Sequence, residues 1–270
     1  DPEMSRGLGD VYKRQDMGEH ISAIYERNDV KIRELEGMEE YKGFWAGAGL
    51  RTDLSGVTEI TENGIKYTVD YINGQKTGFF LDQKYNRQAI RRIAEGRTVL
   101  DCFTHTGSFA LNSAAAGAKS VTAVDISADA IEMTRRNAEQ NGFTNVEFRQ
   151  ADVFDLLTEL YRAGGHPYDF IILDPPAFTK SSSTVRAAER GYKEINLKAM
   201  RLLPRGGYLA TCSCSHFMTE TLFRHMLHDA ATDAGVSLRQ IEARRQAPDH
   251  PILWNVPETD YLKFYIFQVV

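Results

Sequence analysis

From Thr98 to the end of the chain, short apolar runs alternate with stretches in which apolar positions recur every three or four residues. The first pattern predicts buried strands and the second amphipathic helices. The runs place strands near 98–103, 120–125, 146–150, 168–173 and 207–214, and helices near 107–117, 128–141, 153–163, 185–203 and 219–234. Regular β-α alternation implies a parallel sheet with helices on both faces. Two late strands, near 236–244 and 261–269, bring the expected sheet to seven strands.

The pattern upstream is different. Val57–Ile60 and Ile65–Tyr71 alternate apolar with polar around Glu62-Asn63-Gly64, a strong hairpin signal. A second Asn73-Gly74 ends the next strand, and Gly43 to Gly56 reads as a Gly-rich loop. Residues 16–80 are therefore expected to form a small α/β or β-rich subdomain, a packing annex, with the main domain over 81–270. Residues 1–15 show no period and do not begin with Met, so they read as a tag or assembly scar on a fragment. Asp82 is placed to cap a helix whose stripe is Ile90, Ile93 and Ala94. Arg87, Arg91, Arg92 and Arg97 read as a solvated face of that region in preference to an RNA patch.

Bulk properties narrow the function. No apolar run approaches the roughly twenty residues that span a bilayer. Cys102, Cys212 and Cys214 do not make a disulfide framework, which points to a reduced, cytoplasmic setting. A net charge of -5 argues against strong indiscriminate nucleic-acid binding.

Candidate chemistry sits at the ends of the predicted strands. The first strand passes through Asp101-Cys-Phe-Thr-His-Thr-Gly-Ser-Phe109 into a helix, a turn that surrounds a ligand with backbone N–H groups. Asp125 closes the second strand, where a carboxylate suits a ribose diol. The turn lacks Gly-x-Gly-x-x-Gly, so a pyrophosphate is disfavoured and S-adenosylmethionine (SAM) fits. Asp152, after the third strand, is placed either to meet an adenine amino group or to cap a helix. The fourth strand ends in Asp174-Pro175-Pro176-Ala177-Phe178, a stiff loop presenting a carboxylate and a ring to a base. The fifth runs into Thr211-Cys-Ser-Cys-Ser-His216, whose two cysteines share a face if the strand continues that far. A zinc site there is disfavoured because no second ligand pair exists.

These motifs, with Gly191-Tyr-Lys-Glu-Ile-Asn196, resemble the class I SAM-dependent RNA methyltransferases. More narrowly, the chain is similar to the bacterial large-subunit ribosomal RNA (cytosine-5)-methyltransferase family. Lys76-Thr-Gly-Phe-Phe-Leu-Asp-Gln-Lys84, Ala247-Pro-Asp-His-Pro251 and Tyr261-Leu-Lys263 match that family's flanking segments, and nothing matches its usual N-terminal PUA domain. The resemblance implies a Rossmann-like fold, S-adenosyl-L-methionine as cofactor and large-subunit ribosomal RNA as partner, with no metal and no membrane. The oligomeric state stays open, a homodimer being one option. It also implies that Cys214, seven residues after Gly207, is the nucleophile, with Asp174 as a second catalytic group. The expected cofactor contacts are Asp101, Phe103, Thr106, Gly107, Ser108, Phe109, Asp125, Ile126, Ser127, Asp152, Val153 and Asp174. Pro175, Pro176 and Phe178 are expected against the substrate.

A thiolate is what this chemistry needs, because carbon 5 of cytosine becomes nucleophilic only after addition at carbon 6. Three rival readings compete: N-methylation of guanine in RNA without a thiol, a nucleotide-dependent oxidoreductase, and an RNA-binding module without catalysis.

Overall fold

A computed structural model describes residues 21–47, 49–179 and 181–270; the expected tag, 1–15, lies outside them. The described residues divide into two compact units, one holding those up to Glu59 with Val69–Phe79, the other Ile60–Thr68 with Phe80–Val270.

In the smaller unit, strands β1 (Tyr25–Asn28) and β2 (Tyr41–Phe44) pair antiparallel around a single-turn helix, α1 (Ile32–Leu35). Gly43 therefore lies in a strand and not in the loop expected there. Tyr25, Phe44 and Tyr71 pack edge to face, and Arg27 ties two turns by donating to the carbonyls of Tyr71 and Gly74, each at 3.1 Å. The expected hairpin is β3 (Val57–Glu62) and β4 (Ile65–Asp70), most of which, Ile60–Thr68, belongs to the larger unit.

The larger unit is built on a seven-stranded sheet. Its strands are β5 (Thr98–Cys102), β6 (Ser120–Asp125), β7 (Val146–Gln150), β8 (Phe170–Leu173), β9 (Tyr208–Ser213), β10 (Leu238–Arg244) and β11 (Lys263–Val269). Their order is β10-β11-β9-β8-β5-β6-β7, parallel from β9 to β7, with β11 antiparallel to both of its neighbours. Helices α2 (Lys84–Ala94), α3 (Ser108–Ala115), α4 (Ala128–Gln140), α5 (Val153–Ala163), α6 (Val185–Leu202) and α7 (Glu220–Ala234) complete it. The central strands are fully buried: Leu100, Ile171, Ile172 and Leu209 expose no surface, as expected of strands covered on both sides. The chain runs outward through β5, β6 and β7, then returns to β8 on the other flank of β5. Sheets of this topology bind ligands in the crevice at such a reversal, here beyond the carboxyl ends of β5 and β8.

Two expectations about the segment before β5 fail. Asp82 caps nothing: it lies in a 3-10 turn (Leu81–Gln83), and its Oδ2 accepts from the Tyr261 hydroxyl at 2.8 Å. Arg87 is 1% exposed and forms a two-pronged pair with Glu62, at 2.6 and 2.8 Å, with a third bond to the Phe80 carbonyl. A guanidinium is buried only where its fork is matched, and the Glu62 carboxylate matches it.

Candidate active site

The turn after β5 is shaped by carboxylates. Phe103 and His105 both take left-handed backbone (φ 64° and 52°), and Gly107 follows at φ 83°. Side chains other than glycine adopt that region only where the surroundings impose it. Here Asp125 Oδ2 accepts from the His105 N–H at 3.0 Å, while Thr134 and Asn137 on α4 donate to the His105 and Thr106 carbonyls. Gly107 opens α3 without a side chain to cap it. Asp101, fully buried, does that work from the strand: its Oδ2 accepts from the Ala110 N–H at 2.9 Å and the Thr104 hydroxyl at 2.6 Å. Its other oxygen, and the Thr106 hydroxyl, are buried with no protein partner among the described residues. Burial raises the Asp101 pKa to about 7, and Asp174 adds to the rise.

The other expected cofactor residues divide. Asp125 also accepts from the Ser127 N–H at 3.0 Å, and Ser127 in turn caps α4; Ile126 between them is 66% exposed. Ser108 is half-buried at the start of α3. Two side chains are spent on packing. Phe109 is buried and stacked on Phe264, and Val153 belongs to the apolar core. Asp152 is a helix cap, accepting from the Phe154 and Asp155 N–H groups at 2.7 and 3.3 Å.

Asp174 stands just beyond β8, half-buried. Burial raises its pKa to about 6. Its orientation comes from a residue that sequence reasoning passed over: Gln83 donates from Nε2 to Asp174 Oδ1 at 3.0 Å. Gln83 is 3% exposed and is held by Asn86, which itself accepts from Arg244. The only signal for Gln83 in the sequence is its place within the 76–84 segment. Pro175 is buried and Pro176 exposed. Phe178 is less free than a stacking platform would be. Its ring packs at 4.6 Å from Tyr192, 5.8 Å from Phe154 and 6.4 Å from Phe103, and Gly191 allows the approach because a Cβ there would press on it at 3.3 Å.

The three cysteines separate clearly. Cys102 and Cys212 are sealed in the sheet, where burial drives both thiols far above their ordinary pKa. Cys214 is half-buried. The strand ends at Ser213, so the alternation that would have put both thiols on one face stops before Cys214. Its flanks are fastened: Ser213 donates to the Tyr192 hydroxyl at 3.1 Å and Ser215 to the Thr179 carbonyl at 3.0 Å. Since β8 and β9 are parallel with Leu173 opposite Thr211, Asp174 and the cysteine loop leave the sheet at the same end.

Among the described residues, no cluster of three or more His, Cys, Asp or Glu could hold a metal ion, and no helix is long and apolar enough to cross a membrane. Residues 31–267 match the family of S-adenosylmethionine-dependent methyltransferases. The ribosomal RNA large subunit methyltransferase I of Aeromonas salmonicida is 46% identical over 243 residues, and that of Erwinia tasmaniensis 44% over 250. These alignments cover 89% and 92% of this chain but 60% and 62% of the relatives, so the chain spans about three fifths of the length of the curated relatives it matches. Among solved structures, a Streptococcus mutans protein described as a SAM-dependent methyltransferase shares the fold with a TM-score of 0.81 at 23% identity, covering 99% of this chain and 66% of its own. The methyltransferase-like SMU.776, complexed with SAH, has a TM-score of 0.73 at 24% identity, covering 84% of this chain and 59% of its own.

Proposed function

The chain belongs to the S-adenosylmethionine-dependent methyltransferase family, and from that premise we propose that it methylates carbon 5 of a cytosine in large-subunit ribosomal RNA. The observation that carries the thiol chemistry is that Cys214 is only half-buried, at the end of the sheet where Asp174 follows β8, while the other two cysteines are sealed. The relatives' names supply the RNA.

SAM fits the crevice. The unpartnered Asp101 Oδ1 suits an ammonium, such as that of an amino-acid end, and the turn and bare helix start suit a carboxylate. Asp125 suits a ribose, with the exposed Ile126 beside it as an apolar surface for a base. When bound, SAM supplies an electrophilic methyl group on a sulfonium, which carbon 5 of the cytosine takes. The protein's part begins with the Cys214 thiolate bonding to carbon 6, which pushes the ring's electrons onto carbon 5. Asp174, whose pKa of about 6 leaves part of it protonated near neutrality, can donate a proton to ring N3 as that charge develops. Loss of the carbon-5 proton to a base or solvent water then restores the double bond and expels the thiolate, and ring N3 gives its proton back to the Asp174 carboxylate. The target base must leave its stack to enter, and Pro176 is the exposed wall it meets, with Phe178 behind.

The test is mass spectrometry of nucleosides from large-subunit ribosomal RNA incubated with the chain and SAM. 5-Methylcytidine is expected from the wild type and none from Cys214→Ala. An N-methylated guanosine, or full transfer by Cys214→Ala, would overturn the assignment.

A further inference from the structure

Lys263 is 3% exposed, at the first position of β11. A buried ammonium is costly unless a charge or several acceptors meet it. Its Nζ donates to two backbone carbonyls, of Ser215 at 2.6 Å and Tyr261 at 2.7 Å. It makes no ion pair with a carboxylate among the described residues. Two acids whose charge acts on it, Glu220 and Asp260, are both engaged by Arg245, and Glu220 also accepts from Tyr265.

The placement is specific. Antiparallel pairing sets Lys263 opposite Ser213, the residue before Cys214, while its Nζ reaches the carbonyl of Ser215, the residue after it. Cys214 is thus bracketed by one lysine. We propose that Lys263 is a positioning residue whose ammonium holds the Cys214 sulfur as thiolate and fixes the loop that presents it. This rests on Cys214 being the nucleophile. A thiolate beside a cation is the reactive form of cysteine, and the pairing would supply the negative charge that Lys263 otherwise lacks. Burial lowers the Lys263 pKa to about 8, and the Cys214 charge acts in the opposite direction, as the pairing requires. Among the described residues, the ionisable groups that act on the pair include Tyr192 on α6, Cys212 on β9, Glu220 on α7, Arg245 after β10, and Asp260 and Tyr261 before β11.

The readout is the rate of iodoacetamide labelling of Cys214, followed by peptide mass spectrometry from pH 5.5 to 10 on the full chain without cofactor or RNA. The wild type should label with an apparent pKa at least one unit below the ordinary thiol value of about 8.5. Lys263→Met should raise it by at least one unit, and Lys263→Arg should keep it low. A wild-type value at or above about 8.5, or an unchanged profile in a folded Lys263→Met, overturns the proposal. If Lys263→Met does not fold, the wild-type value decides. Because the measurement needs neither RNA nor methyl transfer, failure of the cytosine assignment leaves it readable, and its own failure leaves nucleoside analysis untouched.

Discussion

The two walls of the crevice are built in opposite ways. The turn after β5 is local: Asp101, Thr104 and Ala110 close on one another within ten residues, and Asp125 joins them from the adjacent strand. The loop after β9 is assembled from afar. Its fastenings come from Tyr192, Thr179 and Lys263, up to 48 residues away. The first wall spends carboxylates to hold backbone in left-handed geometry. The second uses hydroxyls and one lysine to hold a half-buried thiol beyond the end of its strand. A wall that shapes backbone should fail as a loss of stability or binding, whereas a wall that presents one atom should fail as a loss of rate.

The largest contrast lies between the cysteines. Cys214→Ala should cost roughly 10³-fold or more in transfer rate with the melting temperature nearly unchanged, since removing a nucleophile has effects of that order or larger. Cys212→Ala should act the other way, lowering stability by about 1–2 kcal/mol through a small buried cavity. If the two variants have similar rates, the division between the walls is lost.

Gly107→Ala tests the first wall. It would hold alanine at φ 83°, with a Cβ 2.6 Å from the Thr134 methyl carbon. Destabilisation of about 2 kcal/mol is expected by chemical denaturation, together with weaker SAM binding by calorimetry. Unchanged binding would show that the turn does not need its left-handed end.

Asp101 gives a pH signature. Its folded pKa of about 7 lies above its ordinary 3.8, so between those values the folded chain binds a proton that the unfolded chain has released. Stability therefore falls as pH rises through that window, and Asp174, raised to about 6, contributes with the same sign. Asp101→Asn should flatten the slope of denaturation free energy from pH 5 to 7.5. An equally steep slope in that variant would remove Asp101 as its source.

The smallest effect is expected from Ser215→Ala, which removes one bond to the Thr179 carbonyl. About 1 kcal/mol of stability should be lost, with a fall of a few fold in kcat and little change in KM. A change confined to KM would mean that the loop touches substrate instead of positioning the thiol.

What could be read from the residues alone was local and periodic. The central strands β5, β6, β8 and β9 stood out as apolar runs, whereas β7 and β10 are largely polar, and the acids at 101, 125 and 174 marked where those central strands end. The short pair β1–β2 escaped notice because two four-residue strands, half polar and Gly-containing, carry too little alternation to register. Only the tertiary structure decided what depends on distant pairing. Arg87 looked like part of a solvated face until Glu62 was found beside it. Gln83 carries no motif of its own, yet it orients Asp174 across 91 residues. The choice between Cys212 and Cys214 was made by resemblance alone; what tertiary structure adds is their difference in burial, since Cys212 pairs with Phe264 inside the ladder and is sealed, while β9 ends at Ser213 and Cys214 is half-buried. Periodicity is written in neighbours along the chain, but burial and charge environment are set by whichever remote segment packs against them.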